Sequence, residues 1–154
     1  MQPGQRVSQG DKIGRMGFTG AGINRERAHL HFEIAVMLSE HFENWHRRHF
    51  AGSPNKHGLY NGLNLVGIDP AQILLECSKN PALRLGDHIR ASEPFYKVTV
   101  PDSAALSLIR HHPWLVPDGE PAAPPAWTIS FTQYGFPVEA RAATETASEP
   151  KVCW

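Results

Sequence analysis

Two histidines and a glutamate alternate with apolar residues in the segment RERAHLHFEI, positions 25–34. If this segment is a β-strand, its side chains alternate between two faces, so His29, His31 and Glu33 share one face. Residues two apart on a strand lie roughly 6 to 7 Å apart, so the two imidazoles would face one small volume without touching. That arrangement suits one metal ligand and one acid/base group. Solvated histidines on the outer face of a half-buried strand are the simpler interpretation.

The preceding segment contains the elements that would position this strand. Residues 7–22, VSQGDKIGRMGFTGAG, place glycines between short apolar runs. Val7 and Ile13 are apolar positions on either side of the polar turn SQGD, in which Gly10 can adopt a positive φ. The pattern predicts a β-hairpin over residues 5–16, followed by a flexible loop that leads to the histidines. We therefore expect the histidines to lie on a sheet.

These motifs resemble a known family. The spaced glycines, the Thr-Gly pair and HLHFE, together with the later GIDPAQIL, resemble the C-terminal half of a lysostaphin-type zinc metallopeptidase domain. That family cuts peptide cross-links in bacterial cell walls. The resemblance covers Gly4 to about Leu38 and resumes from about Ile68 to Leu75, which is less than half of the chain. The matching residues before the histidines are Gly4, Gln5, Val7, Gly10, Ile13, Gly14, Gly17, Thr19 and Gly20.

The resemblance implies a zinc-dependent hydrolase of peptidoglycan peptides, that is, a murein endopeptidase. His31 corresponds to a zinc ligand, and His29 corresponds to a group that transfers protons or stabilises the developing oxyanion. Zinc would polarise the scissile carbonyl and lower the pKa of its bound water toward about 7. Glu33 could orient a neighbouring group, although a solvated glutamate on a strand is the simpler interpretation.

The chain departs from the family pattern in two ways. The family's upstream zinc ligands, a histidine and an aspartate, and its further catalytic histidine have no counterpart here. The chain therefore resembles a fragment or a late-start reading of a longer protein. We expect it to bind zinc weakly and, by itself, to show doubtful peptidase activity. The segment NRERA stands where relatives have small residues. Arg25, Glu26 and Arg27 could contact substrate, although a solvated charged loop is the simpler interpretation.

Two alternatives from other functional classes stay open. A catalytically inactive relative could retain the sheet as a cell-wall-binding or regulatory module without the metal ligands. The second alternative is a lipoyl- or biotinyl-like carrier domain, because GQRVSQGDKIG resembles the glycine-spaced strands of such domains. The carrier interpretation lacks a lysine centred in a tight hairpin, and it leaves HLHFE unexplained.

The amino-acid composition indicates a globular domain and gives no support for a nucleic-acid-binding or membrane-spanning protein. The 15 basic and 15 acidic residues give no net charge, so no electrostatic argument supports a nucleic-acid partner. No apolar run approaches the roughly 20 residues of a membrane span. The opening residues lack the apolar h-region of a signal peptide, so we expect any export signal of a periplasmic or extracellular parent protein to lie upstream. Cys77 and Cys153 lack metal-type spacing, and we expect them to remain unpaired.

The remaining sequence predicts three segments. Residues 1–80 form the peptidase-like β domain with an insertion at about 37–67, residues 81–112 a strand and helix extension, and residues 113–154 a Pro-rich linker, a short strand and a disordered tail. The expected fold class is mainly β with added helices (α+β), built around a partial lysostaphin-type antiparallel sheet. The oligomeric state stays open.

Several local patterns define the expected elements. The insertion carries a helical stripe of Leu38, Phe42, Trp45 and His49, followed by an ordered loop over residues 51–67. His46 and His49 could clamp a metal from one helix face, but packed or solvated histidines are the simpler interpretation. Further predicted elements are a helix capped by Asp69 with Pro70 at its first position, a strand at 95–100, a helix from Asp102 to about His111 and a strand-like run at 127–136.

Overall fold

The computed structural model describes residues 2–153, with side chains at all of these positions except 104 and 105. The chain divides into two compact units, Met1–Phe32 and Glu33–Trp154, whose boundary differs from the segments expected from the sequence. Within residues 2–153, no helix has both the length and the apolar character needed to cross a membrane.

The first unit contains turns and one short 3-10 helix, Arg25–Arg27, and no strand over residues 2–32. Gly10 has the positive φ expected of it, at 88°, and the Asp11 amide donates to the Ser8 carbonyl across the turn. The predicted hairpin ladder is nevertheless wrong. Val7 is 48% exposed and Ile13 is 64% exposed, so the flanking segments bury no common face. A two-stranded hairpin without a buried face is marginal in water.

The predicted strand over the histidines is also wrong, because strand β1 spans Ile34–Met37 and begins after Glu33. Strand β1 pairs antiparallel with β2, Leu65–Ile68, with Ile34 opposite Ile68. Strand β2 lies at the end of the segment that was expected to be a loop. Because β2 offers only four partner residues, the ladder does not extend back to the histidines.

Four α-helices are found within residues 2–153: α1 Phe42–His49, α2 Pro70–Lys79, α3 Leu85–Arg90 and α4 Asp102–His111. The expected start of α2 is confirmed, since the Asp69 carboxylate accepts hydrogen bonds from two amides of the first turn and Pro70 is the first helical residue. The expected range of α4 is confirmed as well. Asp102 does not cap this helix; instead its Oδ1 accepts a hydrogen bond of 2.7 Å from the indole of Trp127. Helix α3 was not expected.

A four-stranded antiparallel sheet forms the larger part of the second unit, with the order β5-β4-β3-β6. Its strands are β3 Tyr96–Pro101, β4 Ala126–Phe131, β5 Pro137–Ala143 and β6 Lys151–Cys153. The strands predicted at 95–100 and within 127–136 are therefore confirmed as β3 and β4. The prediction of a disordered tail is wrong for β5 and β6.

The core shows why the Pro-rich segment is not a linker. Leu115 is fully buried, and it packs in one cluster with Leu108, Trp127 and Ile129. A second cluster contains Val36, Ile89, Phe136 and Val138. Each core cluster combines residues that are far apart in the sequence. The proline-rich composition around Leu115 therefore could not indicate that this residue is buried.

The expected fold class is confirmed at the level of α+β, because residues 2–153 contain two antiparallel sheets together with four α-helices.

Candidate histidine site

His29 is oriented by a hydrogen bond within its own segment. Its Nδ1 lies 2.9 Å from the carbonyl oxygen of Arg27. A carbonyl oxygen can only accept, so in the neutral imidazole the proton is on Nδ1 and Nε2 carries a lone pair. An imidazole in this tautomer presents Nε2 as a metal ligand or a proton acceptor.

A short 3-10 turn holds the Arg27 carbonyl in place. Asn24 is the N-cap of this turn, and its side-chain oxygen accepts a hydrogen bond of 3.0 Å from the Arg27 amide. The Arg27 guanidinium donates to the Gly22 carbonyl at 2.9 Å. Arg27 is thus engaged in local hydrogen bonds, which gives the NRERA segment a structural role.

His31 lies close to His29 although the segment is not a strand. The two ring centroids are 6.0 Å apart, and the ring planes meet at 54°. Both residues are exposed. The two imidazoles therefore lie near each other, and the expectation that they face one small volume stays a prediction. Glu33 is an exposed residue at the start of the second unit, and its orienting role stays a prediction.

The residues present do not complete a catalytic zinc site. A catalytic zinc ion uses three protein ligands plus a water or substrate. Over residues 2–153, no group of three or more His, Cys, Asp or Glu side chains is arranged to hold a metal ion. His29 and His31 could supply two imidazole nitrogens at most.

The histidines of helix α1 belong to an aromatic cluster. His46 is 6% exposed and its ring lies 5.1 Å from Phe50 and 5.6 Å from Phe42, measured between centroids. The ring of His49 lies 4.9 Å from that of Trp45. The packed interpretation of His46 therefore holds. The buried positions of this helix are Phe42 and His46, so its buried face is centred away from Trp45 and His49.

A second group of titratable side chains surrounds Glu40, and the sequence did not reveal it. The Glu40 carboxylate forms an ion pair with Arg110 and lies 3.3 Å from Nε2 of His111. Nε2 of His112 lies 3.0 Å from the Met37 carbonyl oxygen. Burial lowers the pKa of His112, an effect that the Met37 carbonyl partly opposes and that nearby His111 reinforces. The sequence indicated only that the last turn of α4 is basic. Glu40 and Met37, which contact His111 and His112, lie far from this turn in the sequence.

Comparison with known proteins gives no family for this chain: no protein-family model, curated protein or solved structure matches it. The functional interpretation of the histidines therefore depends on their geometry and on the resemblance of the motifs.

Proposed function

We propose that this chain belongs to a zinc metallo-endopeptidase of the lysostaphin type, which hydrolyses peptide bonds of peptidoglycan in the bacterial cell envelope. His31 would bind the metal, and His29 would transfer protons. The observation that supports a chemical role for His29 is the hydrogen bond from its Nδ1 to the Arg27 carbonyl, which leaves Nε2 available, and the division of roles between His29 and His31 follows the family resemblance.

The chemistry of His29 follows from that hydrogen bond. With Nε2 unprotonated, His29 can accept a proton from an attacking water and later return it to the leaving amine. The imidazolium formed in between keeps its Nδ1–H donated to Arg27, and this bond stabilises the positive charge. A bound zinc ion would supply Lewis-acid polarisation of the scissile carbonyl. Because the described residues lack a third ligand, the proposal requires zinc ligands from outside them.

A catalytically inactive cell-wall-binding relative is the second candidate. The lack of a three-ligand group in the described part of the chain favours this alternative. The carrier-domain alternative has less support, because residues 4–14 form a turn without the pair of strands on which that interpretation depended.

The first experiment titrates zinc into the purified chain and follows the histidine ring nitrogens by NMR. We expect His29 to show the Nδ1–H tautomer and zinc binding to be weak, well short of a tight one-to-one complex. His31→Ala removes the proposed ligand and should weaken binding about tenfold, which corresponds to about 1.4 kcal/mol, whereas His29→Ala should leave binding within about threefold. His57→Ala, an exposed histidine in the other unit, is the control. Tight stoichiometric zinc, or equal losses in both variants, would contradict the assignment.

The second experiment measures new amino termini released from purified peptidoglycan sacculi in excess zinc. Because the described residues supply at most two zinc ligands, we expect release by the parent chain and by His57→Ala to be far slower than release by the same chain extended upstream with the missing histidine and aspartate ligands. In the extended chain, His29→Ala should reduce the rate by about a hundredfold to ten-thousandfold, the usual contribution of a general acid/base group. If the extended chain binds zinc and sediments with sacculi but releases nothing, the inactive binding module is correct. If it neither cuts nor binds sacculi, the cell-wall proposal fails.

A further inference from the structure

A cavity of about 600 Å³ lies within the second unit, away from the histidine pair in sequence. It is bounded by the start of helix α2, the connection between α3 and β3, and the turn between β4 and β5. The residues used in the argument below are Asp69, His88, Glu93, Phe95, Tyr134 and Phe136. Its volume falls in the range typical of small-ligand sites, which is about 300 to 1,000 Å³.

Backbone hydrogen bonds hold the walls of this cavity in place. The Phe95 amide donates to the Phe131 carbonyl at 2.7 Å, which anchors one wall to the sheet. The turn that carries Tyr134 is closed by two bonds, from Gly135 N to the Thr132 carbonyl and from Thr132 N to the Phe136 carbonyl. Gly135 has a φ of +81°, which favours glycine at this position. A ligand would therefore meet a largely preformed surface, which lowers the entropic cost of binding.

Aromatic rings form the apolar part of the surface. Tyr134 is 81% exposed and Phe95 is 60% exposed, whereas Phe136 is buried at 3%. An aromatic residue as exposed as Tyr134 beside a cavity is typical of a binding surface, because it would gain by covering its ring. Aromatic faces also attract organic cations.

The charge of the lining favours a cation. Asp69 and Glu93 are both in the lining, which contains neither lysine nor arginine. Glu93 is exposed, and no ion pair of the described residues involves it. Asp69 uses Oδ1 for the amides of Ala71 and Gln72, so its other oxygen takes no part in those cap bonds. His88 is the basic residue of the lining.

We propose that this cavity binds a primary ammonium group on an apolar stem, such as the lysine side chain of a peptide. The stem would lie against Phe95 and Tyr134, and the ammonium group would bind to the Glu93 carboxylate with Asp69 nearby. The proposal is independent of the function proposed for His29 and His31.

The test titrates Nα-acetyl-lysine methylamide into the full chain at low salt and follows backbone amides by NMR. We expect saturable shifts of amides at residues 92–95 and 132–136, with a millimolar dissociation constant. The matched neutral probe is the same compound acetylated at Nζ, and a disaccharide of N-acetylglucosamine tests recognition of a sugar. Neither probe should shift these amides. Equal shifts with the neutral probe or the disaccharide, or no saturable shift with the lysine probe, would overturn the proposal.

Three variants separate the charge from the aromatic surface. Glu93→Gln should weaken binding of the lysine probe about fivefold to tenfold, and Tyr134→Leu should weaken it about threefold. Glu149→Gln makes the same charge change at an exposed site outside this lining and should leave binding unchanged. All three positions are exposed, so the variants should keep the parent amide spectrum elsewhere. If Glu93→Gln binds the probe as the parent does, the carboxylate has no role and the proposal is wrong.

Discussion

Asn64 provides the sharpest test of how the second unit is held together. It is 1% exposed and lies just before β2. Its side-chain oxygen accepts a hydrogen bond from the Ser39 amide at 3.0 Å, and its amide nitrogen donates to the carbonyls of Ser39 and Leu59, both at 2.9 Å. One side chain thus joins the end of β1, the start of β2 and the intervening loop.

Replacing Asn64 with alanine removes three hydrogen bonds from a site that excludes water. Each bond contributes about 1 kcal/mol net, and groups left buried without a partner cost more. We expect the free energy of unfolding to fall by about 3 kcal/mol, measured by urea denaturation with tryptophan fluorescence. Hydrogen exchange at the Ser39 amide should accelerate more than exchange in β4.

Asn64→Asp is the matched variant, because it keeps the shape and the acceptor for the Ser39 amide. Its second oxygen replaces a donor and faces the Ser39 and Leu59 carbonyl oxygens, so the ionised form is repelled. We expect this variant to be less stable than Asn64→Ala at pH 7 and to recover part of the loss in acid, where the protonated carboxyl can donate once. A loss below about 1 kcal/mol in Asn64→Ala, or an aspartate variant as stable as the parent at pH 7, would refute this account of the site.

Three further predictions follow from burial, titration and backbone bonding. Leu115→Ala should destabilise the protein by about 2 to 5 kcal/mol in urea denaturation, whereas Leu75→Ala, at a residue 60% exposed, should change it by less than about 0.5 kcal/mol; equal effects would restore the linker interpretation. Because burial lowers the pKa of His112 in the folded state, the unfolded chain binds the proton first as the pH falls. The contribution of His112 to the free energy of unfolding is therefore complete above about pH 6.5 and decreases as the pH falls toward the folded-state pKa. His112→Gln should lose less stability between about pH 7 and 5 than the parent, and the same dependence of stability on pH in both would contradict this. Amides of residues 5–16 should exchange faster with solvent than those of helix α2, since the first group is bonded only at turns; equal protection in both would argue for a ladder that the structure lacks.

The elements that the sequence predicted well are those with local signals. Asp69 and Pro70 define the start of α2 through a cap bond and a fixed φ, and both act within one turn. The alternation of residues 95–100 predicted β3, which pairs with β4 along its whole length and with β6 over residues 97–99. The start of α2 depends only on neighbours in the sequence, whereas the alternation at 95–100 forms a strand because β4 and β6 pair with it.

The elements that were missed depend on distant partners. Strand β5 begins with Pro137, which has no amide to donate and is tolerated at the first position of an edge strand. Its buried residues Val138 and Ala140 are small, so residues 139–150 contain too few large apolar side chains to predict a strand. The converse error is a strand that was predicted but is absent. Leu30 and Phe32 alternate with polar residues as in a strand, yet they are 83% and 55% exposed. Alternation predicts a strand only where a partner strand and a buried face are available.

Asn24 helps to determine the orientation and tautomer of His29, which the alternation around the histidines does not predict. Asparagine is a favoured N-cap, and here it accepts the Arg27 amide and closes the 3-10 turn. The closed turn places the Arg27 carbonyl 2.9 Å from Nδ1 of His29, and that bond selects the tautomer in which Nε2 has a lone pair. All of these contacts lie within residues 24–29, so they need no strand at His29. The proton-transfer role proposed for His29 therefore depends on a local turn, and the loss of the predicted strand leaves its physical basis in place.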